Sequence, residues 1–340
     1  MNPTEAVIAL ASPRDLTREE AGLVMRAIMT GDATPAQVGA ILTALSMKGA
    51  GSEELAGFAG AMREFAVPFP HGLAGPLVDT CGTGGDESGT FNVSTAAAFV
   101  VAGAGLPVVK HGNRSVTSRC GSADVLTALG ARLEIPPERM AGVLRSAGIA
   151  FLYAPLYHPA MKRVAGIRQE LGLRTVFNLL GPLTNPAGAR IQLLGVYRPD
   201  VIATMAGVLR LLGAGRAMVV HGGGLDEITT TGPTQVAELD AGSLREYQIE
   251  PGDFGIPVSD IADLRGGDAS ENARILREVL SGEHGASRDA VLLNAGAAIY
   301  LGGLAGSMGG GIPLAREAID SGTALGKLEA FLRGTREAGA

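Results

Sequence analysis

An α/β fold is predicted for this chain: a large domain built on a parallel sheet flanked by helices, with a smaller all-helical domain. Three observations predict it. The first seventy or so residues read as helices joined by short turns, and from Leu77 onward short apolar runs alternate with helical ones. Such alternation places helices on both faces of a parallel sheet. Glycine, at 50 of 340 residues, is about twice as frequent as usual and fits a fold with many tight turns.

In the small domain, Thr17-Arg18-Glu19-Glu20 is a capping box that opens a helix ending near Gly31. Thr34-Pro35-Ala36-Gln37 opens a second, with proline at the first helical position, and that helix ends at Gly49. Ser52 starts a third, with Leu55, Phe58, Ala59 and Met62 at helical spacing. None of these carries catalytic chemistry, so they read as packing and association surface. Pro68, Pro70, Gly72 and Gly75 mark a linker, which divides the chain into 1–72 and 73–340.

In the large domain, Gly75 to Val78 reads as a short buried strand, Asn92 to Gly105 as a helix capped by Asn92 or Ser94, and Leu106 to Val109 as a strand. Ala123 to Gly130 and Pro137 to Ala147 are helices, and Ile149 to Tyr153 and Ile191 to Tyr197 strands. Val201 to Leu212 is a helix, and Ala217 to Val220 a strand ending at His221. Further helices are expected near 271–280, 290–301, 314–320 and 324–331. Met161 to Leu173 is polar and helical and interrupts the alternation.

The 46% apolar and 18% charged fractions describe a globular protein. A net charge of −6 opposes a nucleic-acid surface, so an anionic ligand must be met by local positive groups or a metal. Cys81 and Cys120 make no disulfide framework and read as small reduced side chains. The opening residues lack the succession of a signal peptide, and no apolar run reaches membrane-span length; a cytoplasmic protein is expected.

The chemistry gathers between Asp79 and Asp124. Strand, glycine cluster (Gly82-Thr83-Gly84-Gly85) and helix N-terminus form an arrangement whose backbone N–H groups point at an anion. No Gly-Lys-Ser/Thr follows, so this is not a P-loop, and the dinucleotide fingerprint is missing too. Alone, the turn fits a plain strand-to-helix connection equally well. The hydroxyls and amides at Thr83, Thr90, Asn92, Ser94 and Thr95, with Lys110 after the next strand, favour a polyanionic ligand bearing hydroxyls. Asp226-Glu227 also follows a predicted strand; an acidic pair is usually a solvated turn, but it can also hold magnesium beside phosphate. Ligands of such folds sit beyond the carboxyl ends of the strands, where all three features fall.

These segments resemble the signature blocks of the anthranilate phosphoribosyltransferase family. They are Asp79-Thr80-Cys81-Gly82-Thr83-Gly84-Gly85-Asp86, Thr90-Phe91-Asn92-Val93-Ser94-Thr95, Lys110-His111-Gly112-Asn113-Arg114 and Gly121-Ser122-Ala123-Asp124. His158-Pro159-Ala160-Met161, the run from Arg174 to Pro186, and Gly224-Leu225-Asp226-Glu227 match as well. The resemblance covers nearly the whole chain and implies a nucleoside phosphorylase/phosphoribosyltransferase-like fold, with about 162–180 joining the small domain. It implies transfer of the phosphoribosyl group of phosphoribosyl diphosphate to the amine of anthranilate, in L-tryptophan biosynthesis. It places the donor against Gly82, Gly85, Asp86, Thr90, Asn92, Val93, Ser94, Thr95, Lys110, Ser118 and Ser122. It places anthranilate against Gly82, His111, Asn113, His158 (a rim position) and Arg168, and Mg2+, two per subunit, against Ser94, Asp226 and Glu227. His111 is expected to pack its ring rather than act as a base, and Asp86 to turn away from the anion or bind metal or ribose hydroxyls. No catalytic nucleophile is expected. A homodimer through the helical domain is implied, with no nucleic-acid or membrane partner.

The chain departs from the family's commonest wording at Glu87, at Arg119-Cys120, and at Gly166 and Gln169 beside Arg168. Gln169 leaves the acceptor helix less positive. Two rival readings remain: a pyrimidine nucleoside phosphorylase-like enzyme, opposed by the wording at Asn113-Arg114 and Asn178 to Pro182, and a non-catalytic nucleic-acid-binding relative, opposed by the acidic balance.

Overall fold

The computed structural model describes residues 1–12, 14–86, 88–115 and 119–339. Four helices open the chain: α1 (Pro3–Ala11), α2 (Arg18–Thr30), α3 (Pro35–Lys48) and α4 (Ser52–Glu64). The capping boxes read at Thr17 and Thr34 form as expected, each with reciprocal side-chain and backbone bonds. Then come β1 (Val78–Gly82), α5 (Val93–Gly103), β2 (Val108–Gly112), α6 (Ser122–Ala128), α7 (Pro137–Ala147) and β3 (Ile149–Tyr153). Three short helices follow, α8 (Ala154–Tyr157), α9 (Lys162–Leu171) and α10 (Phe177–Leu180). Next are β4 (Ile191–Gly195), α11 (Ile202–Leu211) and β5 (Arg216–Gly222). After them lie β6 (Thr234–Asp240), β7 (Ser243–Ile249), α12 (Ala269–Leu280), α13 (Ala286–Leu301), α14 (Met308–Asp320) and α15 (Thr323–Ala338).

The strands form one sheet in the order β3-β2-β1-β4-β5-β6-β7. β1 to β5 are parallel, whereas β6 and β7 extend the sheet as an antiparallel hairpin that the sequence reading did not anticipate. Its turn holds Ala241 at φ 47 and Gly242 at φ 85, so the first left-handed position lacks the asparagine or glycine that usually announces such a turn. β7 also faces solvent along most of its length, so it has no alternating apolar pattern to read.

Strand alternation sorts side chains to two cores. Ile191, Leu193, Met218 and Val220 join the cluster under α5, α7 and α12 to α15. Leu194, Ala217 and Val219 join α11 and the N-terminal helices on the other face. α9 packs against α3 and α2, and its Val164 is buried in that second cluster. α6 begins one residue before the expected helix and stops two residues short of its expected end at Gly130. Asn92 stands at the head of α5 without capping it through its side chain. Instead its Nδ2 donates to the Cys120 carbonyl at 3.2 Å, and its Oδ1 accepts from Asn272 at 3.1 Å.

Candidate active site

Four neighbouring strands, β1, β2, β4 and β5, all end in glycine: Gly82, Gly112, Gly195 and Gly222. Over three of these ends lies the turn carrying Asp226 and Glu227. A Cβ at Gly82 would stand 2.2 Å from Asp226 Oδ2, at Gly195 1.5 Å from the Asp226 carbonyl oxygen, and at Gly222 2.6 Å from that of Glu227. No side chain fits there, so these glycines let the acidic turn sit directly on the sheet. Behind it, buried Asn294 of α13 clamps Ile228, accepting from its N–H at 3.0 Å and donating to its C=O at 2.8 Å.

From this seat the two carboxylates reach the glycine loop and the head of α5. The Gly84 N–H donates to Asp226 Oδ2 at 2.7 Å, and the Ser94 N–H donates to Glu227 Oε1 at 3.0 Å. Burial pushes both carboxyls up from their ordinary range; the Asp86 charge adds to this at Asp226, and the Asp226 charge adds to it at Glu227. Such a recessed acidic pair is what a divalent cation relieves. Among the described residues no group of three or more histidines, cysteines and acids converges on a metal position. The pair with Ser94 therefore suits a hard cation completed by ligand oxygens and water, as magnesium usually is.

Lys110 is 4% exposed and points under α5 rather than into open solvent. Its Nζ donates to the Thr80 carbonyl and, at 3.2 Å, to Ser94 Oγ. The lysine thus orients the serine as well as bringing positive charge. Buried Asp79 lies behind it, held by Asn185 at 2.9 Å. Burial raises the Asp79 carboxyl to about 6, against the pull of Lys110 and Asn185.

The loop after β1 turns on Gly84 and Gly85, at φ 66 and 78, a region glycine enters without strain. Asp86 folds onto Ser88, accepting from its hydroxyl at 2.8 Å, and Ser88 Oγ lies 3.2 Å from Thr90 Oγ1. Val93 and Thr95 are buried at the start of α5, and Thr95 Oγ1 has no hydrogen-bond partner among the described residues. Ser122 opens α6 and donates to the Asn113 carbonyl at 3.4 Å. Ser118 and the departure Glu87 lie outside the described residues.

His111 extends from β2 towards His158, with ring centres 5.0 Å apart. His158 is buried, not at a rim, and its Nε2 bonds the Thr184 carbonyl at 3.1 Å. Burial lowers His111 to about 3, helped by its neighbour His158, and lowers His158 to about 4. Both rings are neutral near pH 7, which suits them to packing rather than to proton transfer. Arg168 of α9 packs its guanidinium 5.3 Å from the centre of the Phe177 ring. Among the described residues it has no carboxylate within ion-pairing distance, and burial alone lowers its pKa. A half-buried, uncompensated arginine is prepared for an incoming anion.

A family pattern described as the glycosyl transferase family α/β domain matches residues 74–325, and the helical bundle domain of the same family matches 4–66. The anthranilate phosphoribosyltransferase of Methanocorpusculum labreanum is 56% identical over 325 residues, covering 96% of each chain. The chain belongs to the anthranilate phosphoribosyltransferase family. That of Rubrobacter xylanophilus is 55% identical, covering 98% of this chain and 97% of the relative. The crystal structure of the Thermus thermophilus enzyme superposes with a TM-score of 0.92 at 46% identity, over 97% of this chain and 99% of that one. The Saccharomyces cerevisiae enzyme in complex with PRPP and Mg gives a TM-score of 0.88 at 31% identity, over 98% of both chains.

Three residues around the glycine loop and the acidic turn were not singled out from the sequence for the part they take. Asn294 stands mid-helix in an apolar run, where only burial reveals its clamp on Ile228. Asp79 reads as an ordinary strand residue until its burial beside Asn185 is seen. Arg174, quoted only as part of a motif, reaches back to the Gly85 carbonyl.

Proposed function

We propose that this chain transfers the phosphoribosyl group from phosphoribosyl diphosphate to the amine of anthranilate, giving N-(5-phosphoribosyl)anthranilate and diphosphate, in L-tryptophan biosynthesis. The observation that carries the reading is the acidic turn seated on three glycine strand ends. It links Gly84 of the loop and Ser94 of the helix into one cradle.

The amine nitrogen is neutral near pH 7, and its lone pair attacks the anomeric carbon. The bond from that carbon to the diphosphate oxygen breaks, the electron pair leaves with diphosphate, and the nitrogen releases a proton. Positive charge builds on the ribose and negative charge on the leaving group. Ser94, Asp226 and Glu227 would hold Mg2+, two ions per subunit, which supplies neutralisation of the diphosphate charge. Gly82, Gly85, Thr90, Asn92, Val93, Ser94, Thr95, Lys110, Ser118 and Ser122 bind the donor through backbone N–H groups, hydroxyls and one ammonium, and Asp86 meets its ribose hydroxyls. Arg168 grips the anthranilate carboxylate, while Gly82, His111 and Asn113 flank the aromatic ring and His158 supports it from behind His111. Positioning and charge stabilisation account for the rate, so no catalytic base or nucleophile is assigned.

The small domain takes 1–72 with about 162–180, and the large domain takes the rest of 73–340. The chain works as a cytoplasmic homodimer through the helical domain. Ile8, Met47 and Leu173, 64%, 84% and 41% exposed, support an apolar association face, and a dimer mass in light scattering checks it. Incubation with phosphoribosyl diphosphate, Mg2+ and anthranilate, following the fluorescence of the aromatic amine, tests the activity. An unchanged signal would refute it.

A further inference from the structure

Arg174 lies six residues beyond Arg168, on the stretch that leaves α9, and its contacts reach α3, Tyr197 and the glycine loop. Its carbonyl accepts from Ser46 Oγ of α3 at 3.0 Å. Its guanidinium lies 4.8 Å from the centre of the Tyr197 ring, two residues past β4. Its Nη2 donates to the Gly85 carbonyl at 2.5 Å. The glycine pair of the donor loop is thereby held from both ends: Asp226 takes the Gly84 N–H at 2.7 Å, and Arg174 takes the Gly85 carbonyl. Both glycines occupy left-handed backbone, at φ 66 and 78; a Cβ at Gly84 would meet open space, and one at Gly85 would stand 3.6 Å from the Arg174 guanidinium. The Asp226 and Arg174 contacts hold the glycine pair itself, while Thr83 beside it is fixed to the end of β4 by its N–H on the Gly195 carbonyl at 3.0 Å and by its Oγ1, which accepts from the Tyr197 N–H at 3.1 Å.

We propose that Arg174 is a positioning residue that ties the acceptor-binding segment to the glycine loop and sets how tightly the loop holds the donor. This rests on the proposed function. Arginine suits the task because a planar guanidinium can lie on an aromatic face while its edge donates a hydrogen bond. Lysine offers the donor without the plane. The stack on Tyr197 holds the guanidinium at the height of the loop, and the bond to Ser46 fixes the backbone from which it reaches. Arg174 touches no reacting atom. It acts through the Gly85 carbonyl on one side and through the chain leading to Arg168 on the other.

The test is titration calorimetry of the full chain with phosphoribosyl diphosphate and Mg2+, beside steady-state kinetics with anthranilate. A wild-type chain without turnover would remove the proposed function itself, whereas the following outcomes concern Arg174 alone. Arg174→Ala is expected to raise the donor Kd about tenfold, the loss of about 1.4 kcal/mol, with the melting temperature unchanged. A side chain that merely props the fold would lower the melting temperature and leave the donor Kd of the folded protein untouched. Arg174→Lys is expected to recover part of the affinity, and Tyr197→Ala to weaken the donor as Arg174→Ala does. The double variant should bind no more weakly than either single one, because both act through one contact. A wild-type donor Kd in Arg174→Ala, or losses that simply add in the double variant, would overturn the proposal. Should Arg174→Ala fail to fold, Arg174→Lys and Tyr197→Ala carry the same readout, and wild-type affinity in both overturns it.

Discussion

At the ends of β1, β4 and β5 the Asp226-Glu227 turn sits directly on glycine backbone, and each carboxylate is tied to a backbone N–H. Around His111 and Arg168 the site is made instead of side chains: two neutral rings packed on each other, and one arginine lying over Phe177. The first region holds its charges through the sheet itself, so small displacements there move several groups together. The second is assembled from separate side chains, so removing one leaves the others in place. Damage at the proposed donor side should therefore be steep, and damage at the proposed acceptor side graded.

The steepest loss should follow replacement of both carboxylates. Asp226→Asn with Glu227→Gln keeps the shape of the turn and removes the charge that would hold magnesium. Turnover should fall by at least about a thousandfold, comparable with loss of a main electrostatic contribution. Magnesium titration should no longer saturate activity. Full turnover would break the comparison at its donor end.

A purely geometric change should come next. Gly82→Ala would set a Cβ 2.2 Å from Asp226 Oδ2, so the carboxylate must move. A shift of about 1 Å in a group that places substrate can cost about a hundredfold in rate. kcat should fall by that order. An alanine variant with wild-type kcat would show that the turn has room to adjust and is not rigidly seated.

How far the sequence alone reveals these two regions follows the same division. The glycine loop and α5 are legible because hydroxyls, amides and Lys110 gather around glycines that follow apolar strands, whereas the acidic turn, by itself an ordinary solvated pair, is legible only through its likeness to the family's block. Gly195 and Gly222 are visible as letters, yet their purpose depends on the Asp226-Glu227 turn folding back over strands paired only in space. The same limit hides Asn294, which meets Ile228 across 66 residues. The β6-β7 hairpin escapes for a local reason: Ala241 occupies a left-handed position without the residue type that marks it, and β7 is exposed on both faces. His158 looks like a polar rim residue in the sequence and is in fact buried, because the segment around Thr184 covers it.

On the acceptor side the loss should be smaller and confined to one substrate. Arg168→Ala removes a charge-assisted contact worth about 1.5–3 kcal/mol. At 1.4 kcal/mol for each factor of ten, anthranilate KM should rise roughly ten- to 150-fold. Donor KM should stay near its wild-type value, since the lost contact belongs to the other ligand. Kinetics with each substrate varied in turn decide the matter. A donor KM that rises while anthranilate KM stays put would exchange the two regions.

The smallest effect concerns the paired histidines, and it should be silent at neutral pH. His158 is buried, 7% exposed, and burial lowers its pKa to about 4, against an ordinary value near 6.5. Above about pH 6.5 the ring is neutral in folded and unfolded chains alike, so its protonation costs no stability and turnover should show no inflection from it. As pH falls from about 6.5 towards 4, the unfolded chain takes up the proton and the folded chain does not, so stability declines. Each pH unit is worth about 1.4 kcal/mol for one group, so the decline should approach roughly 3 kcal/mol by pH 4. His158→Gln keeps a hydrogen-bond donor for the Thr184 carbonyl and has no proton to take up. Its unfolding free energy, measured against denaturant from pH 7 to 4.5, should start below that of the wild type and close or cross the gap as pH falls. Parallel curves would mean that solvent reaches the His158 ring and that it protonates freely as pH falls, instead of staying neutral and buried beside His111.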